Sequence, residues 1–237
     1  MTNKCYLHLD ESHHAAILVA FYRQLKEACG EERGLDIFMT AARAYGRRRG
    51  RRMAMRALRD GNPLDMTSYF AYGELLSTEG AYKGYYTASP GMVHEHQDGC
   101  PWATEFHTSC FQCGVDYCRE IDNSIIRGFN PNLEFSCPQN MHLTPACDFY
   151  YGGSEIQPDF METYASRVPE GVVTKLEMAY HCGDVYQMFC HVITQVLPVD
   201  GNALVTQVRE QLQEKYGEDF LPALDRFAET DFERIDL

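Results

Sequence analysis

The sequence predicts an α+β fold: a small antiparallel sheet interrupted by a helical pair and flanked by N- and C-terminal helical hairpins. Apolar residues recur at helical spacing over residues 13–61 and again over 172–227, while the stretch between them alternates and is rich in aromatics. Glycine and proline mark the changes of texture, at Gly30, Gly61, Pro63, Pro90 and Gly91. Helices at both ends of a short run of strands segregate into the layers of an α+β domain rather than a βαβ sheet.

Each element has its own signal. In the segment from His13 to Cys29, Ile17, Leu18, Phe21, Leu25 and Ala28 share a face, and Gly30 ends it. From Glu31 a second helix carries Leu35, Phe38, Met39, Ala42 and Tyr45 into an arginine-rich stretch and stops near Gly61, which makes the first hairpin. Asp65 to Leu76 reads as a shorter helix that Asp65 or Thr67 caps. Residues 81–87 and 92–96, joined through Ser89-Pro90-Gly91, read as paired strands. Pro101 suits a first helical position and starts a helix to Phe111, and Val115 to Phe129 reads as one further helix. Leu133 to Cys137 and Ala146 to Tyr151 are strand-like, Gly152 to Pro169 is loop, and helices return over 172–197 and 202–227. The segment Phe21 to Gly46 lines up weakly with Phe189 to Gly217, and Tyr-Gly closes both matched segments. We expect one domain over residues 1–237, with a helical part (1–78), a cysteine-rich α+β core (79–152) and a second helical part (153–237).

Composition narrows the function classes. With 237 residues, 45% hydrophobic and 23% charged, the chain can bury a proper core. A formal charge of −13 and a pI near 5.1 argue against nucleic acid as a partner. Neither a membrane-spanning run nor a signal-peptide pattern is visible, so a cytoplasmic protein is expected. In a chain with an ordinary core, ten cysteines read as free thiols or metal ligands rather than disulfides. Eight of the 21 basic residues fall between Arg43 and Arg59: Arg43, Arg47 and Arg51 share one helix face, and Arg48, Arg52, Arg56 and Arg59 an adjacent one. Such a run reads first as a solvated face or as partners of acidic neighbours, and second as a carboxylate-steering surface. Those arginines and the acidic C-terminal half could also meet between subunits of a homo-oligomer.

Six cysteines lie between Cys100 and Cys147, with His94, His96, His107, His142, Asp116, Glu120, Asp122 and Asp148 around them. Cys110-x2-Cys113 offers half of a structural zinc site and lacks the other half, and its spacing to Cys118 matches neither common ferredoxin order. A reactive thiol is the competing chemistry. On the predicted helix Cys118 and Asp122, four apart, share a face, and a thiol there needs a base such as His94, His96, His107 or His142. Spacing does not choose among the four.

The run Cys100-Pro101-Trp102, then Tyr117-Cys118-x3-Asp122, Gly128-Phe129-Asn130-Pro131-x-Leu133 and Cys147-Asp148-Phe149 resembles the L-2-amino-thiazoline-4-carboxylate hydrolase family, and more distantly the small-molecule-binding domains of the 4-vinyl reductase type. The resemblance implies ring-opening hydrolysis of a cyclic isothiourea or a related C–N substrate. Cys100, Cys118, Asp122 and Cys147 fall on the family pattern, whereas Cys110, Cys113, Cys137 and the histidines do not. Two mechanisms then compete: Cys118 attacks as a thiolate with Asp122 beside it, or a metal on Cys100, Cys118 and Cys147, zinc for preference, activates water with Asp122 as base. Asn130 is a candidate hydrogen-bond donor to substrate, against an ordinary role in its turn. An arginine of the 43–59 stretch would suit a substrate carboxylate. The expected partner is a small molecule carrying that group, with turnover in a hydrolase, binding alone in a sensing module, or a structural metal as the alternatives.

Overall fold

The computed structural model describes residues 6–235. Helices α1 (Glu11–Cys29) and α2 (Glu31–Arg59) form the first hairpin. The Asp10 side chain caps α1 by accepting from Ser12 and His13, and the turn passes through Gly30 at φ +82°. The short α3 (Met66–Ala71) is capped by Asp65, which accepts from the Ser68 amide. It ends earlier than Leu76 because Leu75 leaves the helix to bridge Leu176.

Strands β1 (Lys83–Ser89) and β2 (Met92–Gly99) pair as the expected hairpin, turning at Gly91 with φ +83°. Helices α4 (Pro101–Ser109), α5 (Phe111–Cys118) and α6 (Ile121–Phe129) follow. The single helix expected over Val115 to Phe129 is therefore two, broken at Arg119 and Glu120, so that Cys118 ends one and Asp122 lies in the first turn of the next. Strands β3 (Glu134–Gln139) and β4 (Cys147–Gly152) complete an antiparallel sheet of order β1-β2-β4-β3. Pro138 sits on the edge strand β3, where a missing N–H costs no ladder bond.

The remainder is α7 (Phe160–Thr163), a 3-10 turn (Tyr164–Arg167), α8 (Met178–Val196), α9 (Gly201–Tyr216) and α10 (Phe220–Asp225). The two helical hairpins pack on each other, with Phe189 of α8 against Phe21 and Phe38 at ring separations of 5.0 and 5.2 Å. Their likeness does not extend to their ends. Tyr216 and Gly217 close α9, whereas Tyr45 and Gly46 lie in the middle of α2.

That mid-helix glycine has a packing reason. Helix α2 crosses α6 with almost no side chain between them: a Cβ on Gly46 would come 2.7 Å from the Ser124 Cβ, one on Gly50 would strike the Ile125 carbonyl, and one on Gly128 the Arg47 carbonyl. The Tyr-Gly and Gly-Phe-Asn-Pro phrases are thus, in part, the two sides of one helix contact. A second core, with Met66, Val93, Ile126, Phe149, Tyr151 and Phe160, fills the space under the sheet.

The arginine stretch is divided by this packing. Arg43, Arg47, Arg51 and Arg59 are exposed, while Arg48, Arg49, Arg52 and Arg56 are buried. Arg52 grips Glu74 with two bonds of 2.7 Å and reaches Asp184 at 3.0 Å. Arg56 donates to Glu74 at 2.9 Å, and Arg48 to Asp184. The pairing with acidic neighbours is thus internal. This helix and the acidic C-terminal half meet within the chain, a contact extended by Arg51 to Glu233 and by Arg52 to the Phe232 carbonyl.

Candidate active site

A cavity of about 700 Å³ lies between the inner face of the sheet and helices α2, α4, α5 and α6. It is in the size range of small-molecule sites. On β4 every second residue faces it, whereas β1 and β2 each contribute consecutive residues. On β2, Glu95, His96 and Gln97 line it, and on β4, Cys147, Phe149 and Tyr151 do so, with Tyr85 and Tyr86 of β1 beside them. Cys100 and Trp102 enter from the start of α4, Cys118 from the end of α5, Asp122 from α6, and Cys137 from β3. Cys100, Cys118, Asp122 and Cys147 therefore share one cavity, although the α5–α6 break removes the common helix face that spacing had suggested.

One of the four histidines stands beside Cys118. His142, on the loop between β3 and β4, places its Nε2 3.3 Å from the Cys118 Sγ, and its Nδ1 lies 3.1 Å from the Nε2 of exposed His107. If the thiol donates to Nε2, the His142 Nδ1–H points at His107, a tautomer fixed in the way an acidic partner fixes it in other nucleophile–base pairs. Burial, reinforced by His107, pushes His142 down to about 4, so the ring is neutral and able to accept a proton. Burial, and then the charge of Asp122, push the Cys118 thiol well above its ordinary range. This is a neutral thiol–imidazole pair rather than a preformed ion pair.

Asp122 is the complementary group. Burial first, and the charge of Glu95 second, raise it to about 7, so a large fraction carries a proton at neutral pH. Glu95 is itself raised by burial, against the hydrogen bonds it accepts from Tyr86 at 2.7 Å and Tyr151 at 2.9 Å.

Arg49 supplies positive charge from the opposite wall. Of the four buried arginines it alone makes no hydrogen bond among the described residues: its Nε has none, and Glu74 stands 3.8 Å away. Trp102 orients it indirectly. The indole N–H donates to His14 Nδ1 at 3.0 Å, which leaves the Nε2–H of buried His14 to donate to Tyr45 at 3.1 Å, and the Arg49 guanidinium lies over the Tyr45 ring. A buried, under-satisfied guanidinium at a cavity wall is a seat for an anion. Exposed Lys175, held by the Leu75–Leu176 bridge, is a second cation on the lining.

Two candidates fall elsewhere. Asn130 does not line the cavity; its amide donates to the Leu64 carbonyl at 2.7 Å and its oxygen accepts from the Asn132 amide at 3.0 Å, so its side chain is committed to the turn. Cys110 and Cys113 also lie outside it, with Cys113 wholly buried. As for a metal on Cys100, Cys118 and Cys147, the three thiols line the cavity without converging. Among the described residues, the one set of three His, Cys, Asp or Glu ligand atoms lying within 4.8 Å of one another is His94, His96 and Asp148. Burial also holds Cys100 and Cys147 as thiols, each raised to about 11.

Comparison with known families gives one result. A family model described as L-2-amino-thiazoline-4-carboxylic acid hydrolase matches residues 10–151. The chain belongs to that family. No curated protein and no solved structure gives a significant match. The matched range runs from the cap of α1 into β4 and includes Arg49, Glu95, Cys100, Cys118, Asp122, His142 and Cys147; Lys175 lies beyond it. What sequence reasoning missed in this thiazoline-hydrolase family member was His142, one histidine among four, and the choice of Arg49, which belongs to neither arginine face read from the sequence. Alternation from Val93 could have placed Glu95 indoors.

Proposed function

We propose that the cavity hydrolyses a small cyclic amidine or isothiourea that carries a carboxylate, opening its ring, with Cys118 as nucleophile. The observation that carries this reading is the 3.3 Å approach of His142 to Cys118 at a cavity that also holds Asp122 and Arg49. The substrate carboxylate pairs with Arg49, and the ring lies toward Cys118. The thiol sulfur bonds to the amidine carbon while its proton passes to His142 Nε2. The carbon–heteroatom bond of the ring then breaks, and the Asp122 carboxylic acid gives its proton to the leaving nitrogen or sulfur. Water next adds to the thioimidate carbon and gives a proton to the Asp122 carboxylate. The carbon–sulfur bond to Cys118 breaks as His142 returns the first proton, which leaves the carbamoyl product and the enzyme as it began.

The test is a panel of cyclic thiazolines, amidines and ureas, with and without a carboxylate, followed by product detection on the wild type and Cys118→Ser. Turnover of a carboxylate-bearing ring by the wild type, lost in the variant while binding persists, supports the reading. Binding without product in both proteins means a sensing module. Turnover in Cys118→Ser at the wild-type rate removes the nucleophile assignment.

A further inference from the structure

The paired strands carry a second constellation beside the cavity, whose lining His96 also joins. His94 and His96 are two apart on β2 and so project from the same face, and the antiparallel register sets His96 directly across from Asp148 of β4. His94 Nε2 and His96 Nδ1 lie 2.7 and 2.9 Å from the same oxygen, Asp148 Oδ1. All three side chains are half-buried or nearly buried, and their ligand atoms fall within 4.8 Å of one another.

We propose that His94, His96 and Asp148 form a binding site for a divalent first-row transition ion of the zinc class, separate from the thiols of the cavity. Two imidazole nitrogens and one carboxylate oxygen are the donor set such ions accept, with further positions left to water. Ligand atoms about 2.0–2.1 Å from a common ion sit roughly 3 Å from each other. The two nitrogen–oxygen separations are already close to that, so an ion enters with a small widening of the triangle. The surrounding contacts fix the donors in place. Tyr150 stacks on His94 at 4.7 Å and 9°, Tyr85 stacks on His96 at 5.0 Å and 23°, and the Gln139 amide donates to the second oxygen of Asp148. Metal ligands characteristically have such outer partners.

The position gives the ion a consequence for the cavity. His96 follows Glu95 and Asp148 follows Cys147, and each of these predecessors lines the cavity. An ion bridging β2 and β4 therefore pins the two strands that present Glu95 and Cys147. Because none of the three ligands takes part in the Cys118 chemistry, the proposal stands or falls apart from it.

Cobalt(II) chloride titrated into the full chain under reducing, chelator-free conditions separates this site from the thiols, because a thiolate on cobalt produces an intense near-ultraviolet charge-transfer band and nitrogen and oxygen donors do not. The expected result is one equivalent bound without that band, with zinc displacing it. Affinity should fall at least about tenfold in both His94→Ala and Asp148→Asn, the second of which keeps the side-chain shape, and should be unchanged in Cys118→Ser. A charge-transfer band abolished by Cys118→Ser, binding indifferent to His94→Ala and Asp148→Asn, or no binding at micromolar cobalt would each overturn the proposal.

Discussion

At the scale of single residues, the proposed mechanism divides the chemistry among Cys118, His142 and Asp122, and their protonation gives the first prediction. His142 is a base only when neutral, so kcat/KM should fall as pH drops toward about 4, and Asp122 is an acid only when protonated, so it should fall again above about 7. Asp122→Asn should lower kcat by about 10²–10⁴-fold and abolish the alkaline limb, read from a pH–rate profile. The same carboxyl is raised in the folded protein, so its contribution to stability is present below its unfolded value of 3.8 and is lost as pH rises through about 7. Asp122→Asn should therefore stabilise the protein at pH 8, by about 1–3 kcal/mol in urea melts, while it damages turnover. No stability gain would mean that the carboxyl is not buried at a cost. The family motif made Cys100, Cys118, Asp122 and Cys147 legible, because each is tied to a local phrase. His142 and Arg49 were not legible, since each acquires its role from a partner distant in sequence.

At the scale of elements, the contact of α2 with α6 sets the distance between Arg49 and Asp122. Gly50→Ala forces a methyl group into the Ile125 carbonyl and should cost about 2–4 kcal/mol, measured by chemical denaturation, with a loss of activity larger than the loss of folded protein. Wild-type stability in this variant would show that the helices part easily and that the crossing is not what spaces the two groups. Glu74 is the other hinge of this wall, receiving Arg52 and Arg56 and facing Arg49. Glu74→Gln leaves several buried guanidiniums short of charge and should destabilise by about 3–5 kcal/mol. Hairpins and capped helices were readable from periodicity, proline and glycine. The break between α5 and α6 was not, because the run from Val115 to Phe129 keeps a helical pattern throughout, and it is packing of α6 on the α2 glycines that the pattern does not encode.

At the scale of the whole molecule, two buried histidines tie stability to pH. His14 is depressed to about 3 by burial and by Arg49, and His181 is also driven well below its ordinary value by burial. Both are neutral in the folded and the unfolded chain above about pH 6.5; as pH falls below that value only the unfolded chain takes up the protons, so their contribution to stability declines steadily toward pH 3. The raised Asp122 carboxyl gains stability over the same interval, so the direct check is imidazole NMR: His14 should stay neutral between pH 7 and pH 4, and a ring that titrates in that range would contradict the neutral His14 that links Trp102 to Tyr45 and so to Arg49. The α+β class and the two flanking hairpins were legible over the full chain, whereas the internal use of half the arginines as core ion pairs was not, because a charge run carries no record of the carboxylates that will meet it. The central claim, that Cys118 opens the ring by covalent attack, is tested most directly by intact-mass spectrometry of the protein quenched during turnover of a carboxylate-bearing cyclic isothiourea. Ring opening keeps the leaving atom tethered, so the account predicts an adduct of the full substrate mass on the peptide that contains Cys118, absent from Cys118→Ser. Continued turnover by that variant, or an adduct confined to another cysteine, would contradict it.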